Sequence, residues 1–218
     1  MVMLEKMCDF FERRVEEYDE HMMKDIELAD KFYSFTAESL PKKSGCKILD
    51  LGCGTGLELE PYYELNPTAR VTGIDLSERM LAVLKSKFPD RDIVTICGSY
   101  FDLPFGANRF DAAVSVESLH HFTKKEKIPL YAKLRAALKE GGYLILTDYF
   151  ALSDEEEQMH RRNLMRLKAE QEIVGEESYH YDTPLTVEHE TEALREAGFS
   201  SVEVLERWGV TCAIKATK

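Results

Sequence analysis

The sequence predicts a doubly wound α/β fold with six or seven strands, and two observations indicate it. Five short apolar runs alternate with stretches of helical periodicity, at residues 48–50, 70–75, 93–97, 110–116 and 143–149. This alternation is typical of βαβ units and a parallel sheet. The first run ends in closely spaced glycines, as expected for a buried parallel strand that turns directly into a helix. Two further strands, at residues 202–206 and 210–216, end the pattern.

The composition is that of one globular domain over residues 1–218. A hydrophobic fraction of 44% is ordinary, and 218 residues are enough for a core of its own. No apolar run approaches the ~18 residues that would indicate a membrane span. The five dispersed cysteines include no C-x-x-C pair. They predict free thiols and a cytoplasmic location, and they disfavour a zinc site.

The charge makes nucleic acid an unfavourable partner. The net charge is −12, whereas nucleic-acid affinity depends mainly on contacts to phosphates. Transient contact with RNA through a local basic patch stays open. The most basic stretch lies after residue 153, and we interpret it as a solvated helix face; it comprises Arg161, Arg162, Arg166 and Lys168.

The glycine turn at residues 50–56, with the string D-L-G-C-G-T-G, is the most informative stretch. It connects a predicted strand to a helix, where backbone N–H groups and the helix dipole can face a ligand. Leu57 stands where a dinucleotide fingerprint requires glycine, which counts against a nicotinamide oxidoreductase. Glu58 and Glu60 make the first helical turn acidic, which disfavours a pyrophosphate and tolerates a zwitterionic or cationic ligand.

The string resembles the first motif of class I S-adenosylmethionine-dependent methyltransferases, which have a Rossmann-like fold. The resemblance is strong over residues 43–150 and holds in outline for the C-terminal strands. It implies a seven-stranded sheet with a closing antiparallel strand, S-adenosylmethionine as cofactor and S-adenosylhomocysteine as product. It also implies that the turn lies beneath the methionine part of the cofactor, with Asp50 near its amino group; the expected turn residues are Gly52, Cys53, Gly54 and Gly56.

Asp75 ends the second predicted strand, about 20 residues beyond the glycine turn, where Rossmann-like folds place a carboxylate on the ribose hydroxyls. A carboxylate can accept both of the hydrogen bonds that the hydroxyls offer. The alternative is a charge at the start of the next helix. Leu76 resembles the family's adenine-packing residue, and Met80, on the buried face of that helix, is also expected near the cofactor.

Residues 98–105 resemble the family segment that contacts adenine, with differences. Ser99 stands where an aspartate commonly binds the adenine amino group, and Tyr100 replaces a small residue. Adenine recognition is therefore expected to rest on backbone groups and on stacking by Tyr100. Ser115, near the carboxyl end of the fourth strand, is expected close to the cofactor because ligands bind beyond that edge of a parallel sheet.

Four side chains are candidates for a catalytic role: His120, His121, Tyr149 and His180. A base is required only if the acceptor must lose a proton. No metal is expected, because consecutive residues rarely converge on one ion and no carboxylate–histidine cluster is evident in the sequence. Capping boxes predict helix starts at Thr123 and Ser153, and the first of these helices is predicted to end at the glycine pair 141–142.

The two ends of the chain are expected to surround the cofactor-binding core at residues 43–150. Residues 1–40 are predicted to be a helical cap, with a second helix starting at residue 25. Either this cap covers a sheet edge, or it is a lid whose Tyr18 faces the cofactor. Residues 151–185 are predicted to be a helical insertion over an acceptor pocket, followed by the final helix and strands at residues 186–218.

The leading hypothesis is methyl transfer from S-adenosylmethionine to a small-molecule acceptor. The sulfonium is already activated, so the protein mainly orients the reactants and excludes water. Two alternatives stay open. One is an enzyme that acts on the S-adenosyl group itself or on a tRNA wobble base, of the carboxy-S-adenosylmethionine type. The other is a non-catalytic S-adenosyl-binding module. The N-terminal helices could also pair two copies into a homodimer.

Overall fold

One mixed sheet organises the chain. In the computed structural model, which describes residues 3–175 and 177–218, the sheet has seven strands: β1 (Lys47–Leu51), β2 (Arg70–Asp75), β3 (Asp92–Cys97), β4 (Phe110–Val116), β5 (Leu138–Tyr149), β6 (Ser201–Trp208) and β7 (Thr211–Thr217). Their order is β3-β2-β1-β4-β5-β7-β6. Strands β1 to β5 pair in parallel, and β7 runs antiparallel to β5 and β6. The predicted doubly wound sheet with a closing antiparallel strand is confirmed.

Helices cover both faces of this sheet. The described residues form α1 (Met7–Asp25), α2 (Ala29–Ser39), α3 (Leu59–Leu65), α4 (Glu78–Lys87), α5 (Lys124–Ala137), α6 (Asp154–Glu170) and α7 (Val187–Glu196). Ile48 packs in the apolar cluster that contains α2 and α3, whereas its neighbour Leu49 packs in the cluster that contains α5 and α7. Because β1 is buried on both sides, apolar residues occupy successive positions along it, at Ile48 and Leu49. Across the described residues, every helix is too short or too polar to cross a membrane.

The N-terminal cap consists of two helices separated at Leu28. Leu28 has a left-handed φ of +61°, and α2 begins at the next residue, so the start predicted at residue 25 is too early. The turn reverses the chain and lays α2 on the sheet, where Phe32 and Tyr33 are buried. Burial of these rings decides where the second helix begins, and helical periodicity alone does not reveal it.

The junction between α5 and β5 also differs from the prediction. α5 ends at Ala137 and β5 starts at Leu138, so the helix end predicted at residues 141–142 is wrong. The register with β4 shifts in this part of the strand. A Cβ on Gly142 would lie 2.9 Å from the backbone oxygen of Lys139. The glycine therefore permits an irregular stretch of strand rather than ending a helix.

Side-chain caps start four of the helices. Ser77, Thr123, Ser153 and Thr186 each accept a hydrogen bond from a backbone N–H in the first turn. The capping box predicted at Thr123 is complete. At Ser153 it is incomplete, because the carboxylate three residues later accepts from the N–H of Leu152 instead. These local bonds explain why the helix starts could be read from the sequence.

A buried ion pair joins α5 to α7. Lys127 Nζ donates to Glu190 Oε2 at 2.5 Å, and the hydroxyl of Tyr131 donates to the other oxygen of the same carboxylate. The side chains of Lys127 and Glu190 are 1% and 0% exposed. Each charge is therefore balanced only by groups inside the protein, and removing one would leave the other buried and uncompensated.

Candidate functional site

The glycine turn lies at the carboxyl edge of the sheet, between β1 and α3. Gly52 and Gly54 have φ values of +72° and +46°, a region that glycine adopts without steric strain. Gly52 also lies against the chain after β4, where a Cβ would come 2.0 Å from Ser118 Oγ. The turn therefore depends on glycine for its bend and for close packing.

Asp75 ties this turn to the end of β2. One oxygen of its carboxylate accepts from the N–H of Gly54 at 2.9 Å, and the other accepts from the N–H of Ser77 at 2.9 Å. Burial raises the pKa of the Asp75 carboxyl, and these backbone N–H groups oppose the rise. Each carboxylate oxygen keeps a second lone pair, so Asp75 can accept further hydrogen bonds from a ligand.

Asp50 and Glu58 are buried carboxyl groups with unmet hydrogen-bonding capacity. Apart from the hydrogen bond that the two carboxyl groups share, neither oxygen of Asp50 nor Oε1 of Glu58 has a partner among the described residues. Burial, followed by the charge of Glu58, raises the pKa of Asp50, and burial likewise raises the pKa of Glu58. Unpaired buried carboxyls are costly. A ligand with an ammonium group would supply the missing donors, so these residues fit the amino end of S-adenosylmethionine.

A small pocket of about 50 Å³ lies above the glycine turn. Seven of the predicted cofactor residues line it: Tyr18, Gly52, Gly54, Asp75, Leu76, Met80 and Tyr100. Tyr18 comes from α1 and lies over the turn, because a Cβ on Gly54 would be 3.8 Å from its ring. The structure therefore brings α1 to the predicted cofactor site, consistent with the lid interpretation of the N-terminal cap.

The other predicted cofactor residues do not line the small pocket. Asp50 lies in the buried carboxyl pair, and Cys53 packs against β2, where a Cβ on Gly73 would meet its sulfur. Gly56 faces apolar side chains of the α3–α4 layer. Ser99 accepts from the N–H of Phe101, and Ser115 donates to the carbonyl of Leu51. These side chains have structural contacts that organise the site from beneath or beside it.

We expect S-adenosylhomocysteine to slow amide hydrogen exchange across α1. Small-molecule sites generally enclose at least about 300 Å³, so Tyr18 has to move for the ligand to enter the small pocket and can then close over it. Glu12 of α1 accepts from Ser77 Oγ at 2.7 Å, which holds the closed position. Exchange measured by mass spectrometry should slow in α1 and stay the same in the distant α7. Equal exchange in α1 with and without ligand would contradict the lid.

A large cavity of about 1040 Å³ adjoins the small pocket. Its walls come from α1, the chain after β4, the loop around residue 181 and the β6–β7 hairpin. All four predicted catalytic candidates line it: His120, His121, Tyr149 and His180. Four residues border both spaces, namely Phe11, Tyr18, Glu117 and His121. The two spaces therefore meet at a boundary formed by two aromatic rings of α1, Phe11 and Tyr18, and by the ionisable groups of Glu117 and His121.

Two aspartates hold the histidine pair. His120 Nδ1 lies 2.6 Å from Asp148 Oδ1, and Asp148 also accepts backbone N–H bonds from Leu119 and Tyr149. On the other side, Asp182 Oδ1 lies 3.5 Å from His120 Nε2 and 3.3 Å from His121 Nδ1. The two histidine rings are 4.0 Å apart. The prediction that no carboxylate–histidine cluster accompanies the two histidines is therefore wrong, because the fold brings Asp148 and Asp182 beside them.

Burial disfavours charge on every group in this cluster, and the neighbours decide the outcome. Burial lowers the pKa of His120, but the adjacent Asp148 and Asp182 outweigh burial and raise this pKa to about 10. Burial and the charge of His120 lower the pKa of His121. Burial and the charge of Asp148 raise the pKa of Glu117 to about 8. The cluster therefore holds strongly interacting charges at the wall of the large cavity.

His180 is placed by α1 rather than by the sheet. The imidazole ring stacks on Phe10 with ring centroids 3.4 Å apart. The backbone N–H of His180 donates to the backbone carbonyl of Glu5, two residues before α1. Burial, followed by the charge of His121, lowers the pKa of His180 to about 4. The loop that carries His180 thus closes the cavity from the same side as the N-terminal helix.

Three carboxyl groups at the histidine pair and the wall of the large cavity were not among the predicted site residues: Glu117, Asp148 and Asp182. Glu117 follows β4 directly and has a left-handed φ of +46°, which is unusual for a residue with a side chain. Asp148 lies near the end of β5. The carboxyl ends of parallel strands are where ligands bind, so the sequence places both residues near the site without giving either a role. Asp182 lies in the segment expected to cover the acceptor pocket, but no local pattern indicates that it meets the histidines.

Comparisons with known proteins indicate the family to which the chain belongs. A family described as "Methyltransferase domain" matches residues 48–142. An uncharacterized methyltransferase of Anoxybacillus flavithermus is 30% identical over 146 residues, which cover 66% of this chain and 67% of that protein. The 24-methylenesterol C-methyltransferase 2 of Arabidopsis thaliana is 33% identical over 123 residues, which cover 52% of this chain and 33% of that protein. Across the first three curated relatives, the chain spans from 33% to 67% of their length.

Solved structures extend the similarity to nearly the whole chain. A DhpI–SAM–HEP complex matches with a TM-score of 0.69 at 21% identity, covering 95% of this chain and 94% of that one. At this identity the match demonstrates a shared fold. The Anoxybacillus methyltransferase, which is 30% identical and covered over 67% of its length, shows the family, and the match to residues 48–142 agrees with it. The chain belongs to the class I S-adenosylmethionine-dependent methyltransferases, and S-adenosylmethionine is its cofactor.

Proposed function

We propose that this enzyme transfers the methyl group of S-adenosylmethionine to a small molecule bound in the large cavity. The observation that carries the proposal is the shared boundary of the two spaces at Phe11, Tyr18, Glu117 and His121. A cofactor above the glycine turn and an acceptor in the cavity would meet there. The boundary is where the acceptor atom and the sulfonium methyl have to be aligned.

The bound cofactor supplies a methyl group that its positive sulfur already activates. The chain's own residues hold and orient it: Asp50 for the amino group, the glycine turn beneath, and Asp75 for the ribose. Phe11 and Tyr18 exclude water from the boundary. Glu117 and His121 are the ionisable groups nearest to the transfer point, so they orient the polar end of the acceptor.

The cavity walls favour a small neutral or cationic acceptor over RNA. Carboxylates outnumber the two cations Arg14 and Lys24 in the cavity lining, with Glu17, Glu20, Asp25 and Glu27 among them, and this excess disfavours phosphates. Aromatic rings, among them Phe10 and Trp208, offer surfaces for a flat or apolar body. The relatives include both a sterol C-methyltransferase and a tRNA methyltransferase, so the preference for a small molecule rests on the cavity walls.

The carboxy-S-adenosylmethionine alternative requires an arginine that can bind a cofactor carboxylate. Arg14 lines the cavity, but its guanidinium is paired with Glu5 at 3.0 Å and lies over the ring of Phe10. This pairing counts against that alternative. The non-catalytic alternative is separated from our proposal by turnover alone.

The test is a screen of hydroxyl, thiol and amine acceptors, read by release of S-adenosylhomocysteine, with one cavity variant. Val210 lines the cavity and is 39% exposed, so a larger side chain there can project into it. Val210→Trp is expected to lower kcat/KM for the acceptor at least 10-fold while cofactor affinity stays within twofold. Val204→Trp, on the same hairpin and 40% exposed but outside the cavity, is the matched control.

Two outcomes would contradict the proposal. If Val210→Trp and Val204→Trp have the same effect on acceptor kinetics, the acceptor does not bind in the large cavity. If the protein binds S-adenosylmethionine but releases no S-adenosylhomocysteine across the acceptor classes, the non-catalytic alternative gains support.

A further inference from the structure

We propose that His120, His121 and Asp182 bind one first-row divalent cation, of the Zn²⁺ class, at the wall of the large cavity. That the cation binds is inferred from the site geometry alone. Its role in catalysis rests on the proposed function. One ligand atom from each of the three residues lies within 4.8 Å of the other two. Both histidines follow Glu117, which has a left-handed φ of +46° after β4.

The distances in this group match those between two ligands of one metal. Asp182 Oδ1 is 3.3 Å from His121 Nδ1 and 3.5 Å from His120 Nε2, which is long for hydrogen bonds to a carboxylate. Metal–nitrogen and metal–oxygen bonds of about 2.0–2.2 Å separate adjacent tetrahedral ligands by about 3.3–3.5 Å. His121 Nδ1 also lies 3.3 Å from the carbonyl oxygen of Tyr181, so a cation at the centre of the group would replace a proton on that nitrogen and draw it away from this carbonyl.

Asp148 supplies the supporting contact that metal-binding histidines normally have. Its carboxylate lies 2.6 Å from His120 Nδ1 and is itself fixed by two backbone N–H groups. A carboxylate in this position keeps the proton on Nδ1 and leaves the lone pair of Nε2 for the metal. The Nε2 atom is the one that faces Asp182, so the histidine is oriented as a ligand.

Two histidines and one carboxylate leave coordination positions open, and the open side is the large cavity that all three residues line. Such incomplete ligand sets are typical of catalytic rather than structural cations. The acceptor class that fits is a hydroxyl compound whose oxygen binds the cation. Because the cation lowers the pKa of a bound hydroxyl, the oxygen binds as its anion and the proton passes to solvent. The oxygen–methyl bond then forms as the sulfur–methyl bond breaks, which leaves neutral S-adenosylhomocysteine.

The test is titration of the chelator-treated 218-residue chain with Co²⁺, followed by visible absorption and calorimetry. One Co²⁺ per chain is expected, with the d–d bands of a low-coordinate site. Asp182→Asn is nearly isosteric and affects a half-exposed side chain, so it should fold while weakening Co²⁺ binding at least 100-fold. Asp148→Asn, which changes a positioning residue, should weaken binding 10- to 100-fold.

The control variant is His189→Ala, which removes a histidine that pairs with Glu157 and Asp154 away from the cavity. Its Co²⁺ affinity should stay within twofold. Absence of a stoichiometric Co²⁺ site, or equal affinity in Asp182→Asn, would overturn the metal site and support a proton-bridged cluster instead. Full turnover by chelator-treated protein would overturn the cation's role and leave methyl transfer intact. Co²⁺ binding without turnover of any acceptor would support the site and count against the proposed function.

Discussion

Replacing Asp75 with alanine is expected to weaken the binding of S-adenosylmethionine and S-adenosylhomocysteine at least 100-fold. The carboxylate lines the small pocket and holds the N–H groups of Gly54 and Ser77. The variant loses these two bonds and the proposed bonds to the ribose hydroxyls. A hydrogen bond to a charged group is worth about 1.5–3 kcal/mol, and about 1.4 kcal/mol is a tenfold change in affinity. Calorimetry at 25 °C measures the effect directly.

Asp92→Ala is the matched control for this experiment. Asp92 begins β3 at the opposite edge of the sheet, and it forms an exposed ion pair with Arg70 at 3.2 Å. Exposed pairs contribute little, so cofactor affinity should stay within twofold of wild type. An Asp75→Ala protein that melts cooperatively and binds the cofactor with unchanged affinity would remove Asp75 from the cofactor site.

Replacing Lys127 with methionine is expected to lower the free energy of unfolding by about 3–5 kcal/mol. The substitution keeps the apolar stem in the α5–α7 interface and removes the charge that balances Glu190. The Glu190 carboxylate would stay buried with only Tyr131 as a side-chain donor. In a protein of this size each 1 kcal/mol shifts Tm by about 2–4 °C. Denaturant unfolding should show the loss of free energy directly, and calorimetry should show a fall in Tm of about 6–20 °C.

The same two helices provide the control. Lys124 of α5 pairs with Glu192 and Glu196 of α7 at 3.0 Å and 2.6 Å, but on the protein surface. Lys124→Met should change the free energy of unfolding by less than about 1 kcal/mol. The double variant Lys127→Met/Glu190→Leu should recover most of the loss, because replacing both buried charges leaves neither uncompensated. Equal effects of Lys127→Met and Lys124→Met would contradict the importance of burial.

The elements that sequence patterns located are those that local chemistry specifies. β2 and β4 have the predicted bounds because alternating runs of apolar residues end at turn residues on both sides. Thr123 and Thr186 begin helices through bonds within one turn of chain. The α5–β5 junction was predicted wrongly because a glycine pair has two uses, as a helix end and inside an irregular strand. Pairing of Leu138 with Phe110 of β4 decides between them.

The sequence by itself determined the fold class and the cofactor class, because the glycine turn and Asp75 are read from short segments at a fixed spacing. Only the tertiary structure decided the catalytic surroundings. Asp182 meets His120 and His121 because its loop is held against α1, where His180 stacks on Phe10. These contacts join segments far apart in the chain, and their formation depends on how two layers pack. Local periodicity and spacing carry no information about such packing, so the histidine–aspartate cluster could be found only in the folded protein.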